Sequence, residues 1–164
     1  MKSIAEIASS EQIALYNQAF VAVVIRSGVA GYSKSGRNMP PELAFLLVPL
    51  ALHLPTRESL PIHSSTQMQK WIREHPLHLV KLEIRVLAMK QFVGAGLRFG
   101  TRHGVIRSVD GQLAAGGLRR KPRGFSKFET TEVRDCVRKA SFLGRWFARQ
   151  PDEATLLAMW GLRP

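Results

Sequence analysis

Between Leu118 and Phe128 the chain reads LRRKPRGFSKF, so Arg119, Arg120, Lys121, Arg123 and Lys127 place five cations within nine residues, with Phe125 and Phe128 among them. Guanidinium and ammonium groups at that density suit contacts with phosphate oxygens, while an aromatic ring stacks on a base or anchors the loop. An acidic protein surface offers the same charge pairing, so the cluster alone points to a polyanion and not to one kind of polyanion. A second basic series lies downstream. At 100° per residue Arg134, Arg138, Arg145 and Arg149 fall on one narrow helical face, opposite Val133, Cys136, Val137, Ala140, Leu143, Gly144 and Phe147. Phe142 and Trp146 stand at i, i+4 on a flank of that helix. They are either packed on another helix of the chain or anchors for a partner, since binding energy concentrates in patches that combine Trp and Arg.

Other chemistries find no residues to perform them. The five histidines, His53, His63, His75, His78 and His103, lack metal-ligand spacing and have no carboxylate pair nearby. His75 and His78 straddle the Pro76 boundary. Cys136, the single cysteine, lies on the apolar side of its helix with no fixed base, which suits a small core residue better than a nucleophile. The glycines of GAGLRFGTRHG (94–104) follow no strand and open no helix, so they fail the test of a phosphate-binding loop. Neither an enzyme nor a bound cofactor or metal is expected.

The totals agree with a folded, basic, binding protein. Its 164 residues are 45% hydrophobic and 22% charged, which excludes a disordered chain, and the length suits one domain. The net charge is +12, and residues 81–149 hold 16 basic against 5 acidic side chains, a local excess of +11. Such localisation points to a polyanionic partner, with a merely solubilising face as the alternative. No apolar signal segment follows Met1 and Lys2, and one cysteine cannot form an internal disulfide, so a reducing cytoplasm is expected. The longest apolar run, Leu43 to Leu54, is broken by Pro49 and His53 and is too short to cross a bilayer.

Several elements must position these groups. Ser9 and Gln12 form a capping box, and Ile13, Tyr16, Phe20, Val23 and Val24 then repeat at helical spacing, predicting an N-terminal helix over 10–31 that stops at Gly28 and Gly31. Pro40 and Pro41 open a central apolar helix over about 41–54. A loop is expected from Pro55 to His63, then a short helix capped by Ser64 and Gln67 over about 65–74. A further helix over about 77–93 has two rows, Val80, Ile84, Leu87 and Leu82, Val86, Met89, Val93, both expected to be buried. From residue 103 the period changes to two, and Asp110-Gly111 supplies a type I′ turn for a β-hairpin that returns through Gln112 to Ala115. The fold class is therefore mainly α with a small β-hairpin: a winged helix-turn-helix-like core over 41–117, flanked by the long N-terminal helix, the basic loop 118–128, and a C-terminal helix and tail over 130–164. A free-standing winged-helix regulator would use Lys81, Arg85, Lys90 and Gln91 to read the major groove.

Six segments carry a resemblance. YNQAF (16–20), GY (31–32), FLLVPLALHLPTRESLP (45–61), WIREHP (71–76), KASFLGRWFA (139–148) and the closing WGLRP (160–164) resemble the middle components of bacterial three-component ABC systems, over about residue 13 to the end. That resemblance implies a non-catalytic adaptor in a hetero-oligomer with an SMC- or Rad50-like ABC ATPase and an effector subunit, in conflict with phage or plasmids, with non-specific contact to DNA. Arg145, Trp146, Trp160 and Arg163 are motif positions, and with Phe142 and Arg149 they are the candidate partner contacts. The nucleic-acid candidates are the loop cations with Arg134 and Arg138. Arg57, between Thr56 and Glu58, reads as a buried, hydrogen-bonded motif residue, and Arg145 as one able to cap a carbonyl row.

Overall fold

The computed structural model describes residues 17–118 and 131–163. The capping box at Ser9 and Gln12 and most of the basic loop lie outside them. Among the described residues the elements run α1 (Gln18–Ser33), α2 (Glu42–Leu52), α3 (Leu54–Ser59), α4 (Met68–Glu74), a 3-10 turn (Pro76–Leu79), α5 (Leu82–Arg102), β1 (Ile106–Val109), β2 (Gln112–Ala115), α6 (Thr131–Phe147) and α7 (Glu153–Met159). The chain is thus mainly helical with one antiparallel hairpin.

α1 is the centre of the molecule. Asn17 caps it, its side-chain oxygen accepting from the Phe20 amide at 3.1 Å. Phe20 through Ile25 are all buried, so this stretch is covered on every side and not only along one face. α6, α5 and α2 supply that cover. Gly28 and Gly31 do not end the helix, as their residue type suggests. They are the positions where other elements come closest: a Cβ on Gly31 would overlap the Ser141 carbonyl of α6, and one on Gly28 the Leu47 side chain of α2. Gly144 makes the reciprocal approach, where a Cβ would overlap the Gly28 carbonyl. Ser27 Oγ donates to the Val137 carbonyl at 2.7 Å. Contacts advance together along the two helices, 27 to 137 and then 31 to 141, so α1 and α6 lie parallel and their C-terminal ends share one end of the fold.

α2 carries Leu43, Leu46, Leu47, Val48, Leu50 and Leu52 into the core, as its uniform composition requires. The chain then turns straight into α3, where a loop is expected. Pro55, at the start of that helix, has its φ preset and no amide to leave unpaired, and His53 N-caps it in an extended conformation. Gln67, not Ser64, precedes α4, and it makes no side-chain cap bond. Lys81, at φ 59°, breaks the chain between the 3-10 turn and α5, which explains why no continuous helix begins at 77.

α5 runs nine residues beyond its expected end. Gly96 and Gly100 are interior helical positions pressed against Val21 and Ile106, and Gly104, at φ 69°, lies just beyond its C-terminus. The hairpin follows the sequence closely. Val109 pairs with Gln112 across Asp110 (φ 51°) and Gly111 (φ 77°), the two positive φ values a type I′ turn needs. Met39 adds a single bridge to Leu113 through two backbone bonds of 3.0 and 2.8 Å, which ties the α1–α2 connection to the hairpin. One cluster of buried apolar side chains draws on α1, α2, α4, α5, α6, α7 and both strands.

Candidate binding surfaces

The LHLPTR segment forms an anchoring corner. Arg57 is 1% exposed, and its guanidinium donates to the Ala51 and Leu52 carbonyls at 3.1 Å each, satisfying the C-terminal carbonyls of α2. The same fork reaches α6, with Nε 2.8 Å from Asp135 Oδ2 and Nη2 3.4 Å from Glu132 Oε1. Burial pushes the Asp135 carboxyl upward, but hydrogen bonds and charge from Arg138 and Arg57 outweigh it and hold the group below the usual aspartate range. Arg57 is therefore a buried, hydrogen-bonded residue, as its flanking residues suggest.

Beside this corner lies a histidine cluster that periodicity did not disclose. His53 Nδ1 and Thr56 Oγ1 share a hydrogen bond of 2.8 Å, Thr56 Oγ1 lies 3.2 Å from His78 Nδ1, and His78 Nε2 lies 2.9 Å from Ser59 Oγ. Trp71 stacks on His75 and His78 at centroid distances of 4.4 and 5.4 Å. The i, i+3 spacing of His75 and His78 was the one signal in the sequence. Burial lowers the His53 pKa to about 4, helped by the charges of Arg85, His78 and Arg57, and lowers that of His78 in the same direction. In an unfolded chain these rings protonate near pH 6.5. Below that pH the unfolded state binds protons that the native state refuses, so the stability present above pH 6.5 is lost as pH falls toward 4. Thermal unfolding followed by circular dichroism at pH 7.5, 5.5 and 4.5 should show a falling Tm, with a shallower fall for His53→Asn; equal slopes would remove the cluster as its cause.

The aromatic motif residues face inward. Trp146 is fully buried, with its indole N–H donating to the Thr66 carbonyl at 2.7 Å and its ring edge-on to Trp71 at 5.5 Å. Trp160 and Phe142 are buried against the same ring system. Within this chain these three side chains therefore belong to the core.

The arginine row of α6 and of the turn after it, where Arg149 lies, is divided between two clefts. Arg134 and Arg138 line one of about 600 Å3 beside Leu54 and Glu58, where Arg138 pairs with Asp135 at 2.6 Å. Arg145 and Arg149 line another, of about 230 Å3, with Lys34, Ser35 and Ser64. Arg145 donates to Ser141 Oγ at 2.9 Å, and among the described residues it makes no bond to a backbone carbonyl. Arg119, Arg120, Lys121, Arg123 and Lys127 lie outside the described residues.

The second helical row of α5 is where expectation and structure part. Leu82, Met89 and Val93 are buried and Val86 partly so, but Val80, Ile84 and Leu87 are 56%, 66% and 63% exposed, with Leu77 at 80%. One flank of α5 packs on α1 and α2, and nothing among the described residues covers the other. This strip leads into a groove of about 530 Å3 lined by Phe45, Leu46, Val86, Leu157 and Leu162, with Glu42, Glu83, Lys90 and Arg163 also on its walls.

No group of three or more His, Cys, Asp or Glu among the described residues is placed to hold a metal ion, and no described helix is long and apolar enough to cross a membrane. Among the described residues the chain thus presents an uncovered apolar strip and a separate cationic cleft, two kinds of surface suited to contact with other molecules. The family model for Middle Component 3 of the ABC-three component (ABC-3C) systems matches residues 5–164, and the chain belongs to that family. Neither a curated protein nor a solved structure matches it.

Proposed function

We propose that this middle component is a non-catalytic adaptor that docks on an SMC- or Rad50-like ATPase of its system, bridges it to an effector in defence against phage or plasmids, and offers DNA a non-specific positive surface. The observation that carries this reading is the strip of Leu77, Val80, Ile84 and Leu87. Four large apolar side chains on one short stretch that no described residue covers, beside an apolar groove, are characteristic of a surface that another protein covers. The family name itself places the chain in a multi-component system.

The alternative, a free-standing winged-helix regulator, needs α5 to present polar groups to base edges. Its outward face does expose Lys90 and Gln91, but it also carries the exposed Ile84 and Leu87, and Arg85 is drawn in beside His53 and His78. The hairpin with its Met39 bridge is the feature that favours a winged arrangement, and an adaptor accommodates it equally well.

Co-expression with the neighbouring ATPase, followed by size exclusion with mass determination, tests the proposal. Burying a Leu or Ile side chain contributes about 1.5–3 kcal/mol, so the double substitution Ile84→Asp/Leu87→Asp should weaken the complex at least about 100-fold. Both side chains are exposed, so the isolated protein should keep its Tm. Failure of the folded wild-type protein to join the ATPase would overturn the adaptor reading.

A further inference from the structure

The cleft at the shared C-terminal end of α1 and α6 gathers four donors from three separate parts of the chain: Lys34, Ser64, Arg145 and Arg149. No carboxylate lines it, and none of its three cations has a salt-bridge partner among the described residues. The ion pairs elsewhere use Arg57, Lys70 and Arg138. The Ser64 hydroxyl has no partner among the described residues either, whereas Ser35 spends its proton on the Tyr32 carbonyl at 2.8 Å. Arg145 uses one N–H on Ser141 Oγ and keeps the rest of its fork.

The cations are brought together by backbone packing, not by chance orientation of long side chains alone. Gly31 and Gly144 let the two parallel helices approach at backbone distance, which sets the C-cap residue Lys34 beside the last turn of α6. Two helix C-termini at one end bring two negative dipole ends, and basic residues there have that field to offset. Arg37 already serves this purpose, donating to the Ala148 carbonyl at 2.5 Å while lying over the Tyr32 ring. Lys34, Arg145 and Arg149 are left facing the cleft.

We infer that Lys34, Ser64, Arg145 and Arg149 form a binding site for a phosphate group of a nucleic-acid backbone. The donor set of Lys, Arg and hydroxyl is the one that positions phosphate oxygens. At about 230 Å3 the cleft is smaller than the roughly 300–1,000 Å3 of a pocket that encloses a whole small molecule, so it suits one group of a longer ligand. This deepens the proposed DNA contact and rests on it, and it adds residues other than those of the loop 118–128 to that contact.

The test uses the full chain and a fluorescent 20-base-pair duplex, with anisotropy titrations across a salt series. Lys34→Gln/Ser64→Ala changes two side chains at the cleft, neither of them a candidate partner contact, and should leave the Tm and the ATPase co-purification unchanged. The duplex affinity should fall about tenfold, and the slope of log affinity against log salt should shrink by about 1, as expected when one phosphate is no longer neutralised. Retained co-purification separates a failure of this site from a failure of the adaptor reading. Unchanged affinity and slope would overturn the site, as would a variant that loses only thermal stability, because the cations would then be serving the helix ends. Amide-shift titrations with inorganic phosphate and ATP complete the test: shifts at Ser64 and Gly31 support a phosphate site, whereas shifts with an acidic peptide alone overturn it.

Discussion

Arg57→Ala should cost about 3 kcal/mol of folding stability, a drop in Tm of roughly 6–12 °C for a chain of this size. Three losses combine. The Ala51 and Leu52 carbonyls at the end of α2 lose their donors, Asp135 and Glu132 lose a fixed cation, and a large buried side chain leaves a void. The two carboxylates are partly exposed and regain water, which holds the cost below that of a fully buried pair. Arg57→Lys should rescue little, because a single ammonium cannot span two carbonyls and two carboxylates from one fixed fork. Arg57→Met, which refills the void, should recover part of the loss. Thermal and urea unfolding of the three variants provide the check, and an Arg57→Ala Tm within a degree of wild type would show that the corner is not an anchor.

Gly144→Ala should be comparably severe, about 3 kcal/mol, from a single added methyl. Its Cβ would meet the Gly28 carbonyl and the Tyr32 amide, which are backbone atoms of α1 that no rotamer change can move. Relief requires α6 to lift away from α1, and that separates Arg145 and Arg149 from Lys34. The variant should therefore lose duplex affinity together with stability, even at temperatures where it remains folded. Gly117→Ala is the control, since a methyl added there would find nothing within 4 Å, and its effect should stay within about 0.5 kcal/mol. Equal stability for the two variants would refute the close helix approach on which the phosphate site depends.

The sequence read on its own determined whatever local chemistry decides. Asp110-Gly111 specifies its turn because few residue pairs adopt two positive φ values, and Leu43 to Leu52 are central because no orientation of so apolar a helix avoids burial, whereas Leu54, at the end of the same run, is exposed. The inner and outer faces of α6 follow from a strong period of 3.6, and Arg57 was recognisable as a motif residue inside an apolar neighbourhood. Tertiary structure alone decided what depends on neighbours distant in the chain. Periodicity showed two apolar rows on α5 but not that, among the described residues, only one of them would be covered, since the cover comes from α1 and α2, forty and more residues earlier. Glycine reads locally as a stop, yet Gly28, Gly31, Gly96 and Gly144 lie within helices where another element needs the space of a missing side chain. The same holds for charge: four arginines at one helical spacing were legible as a row, but which of them would lie beside Lys34 and which beside Leu54, Arg57 and Glu58 was decided by where α1 and α3 pack against α6, because an electrostatic site is made by proximity in space.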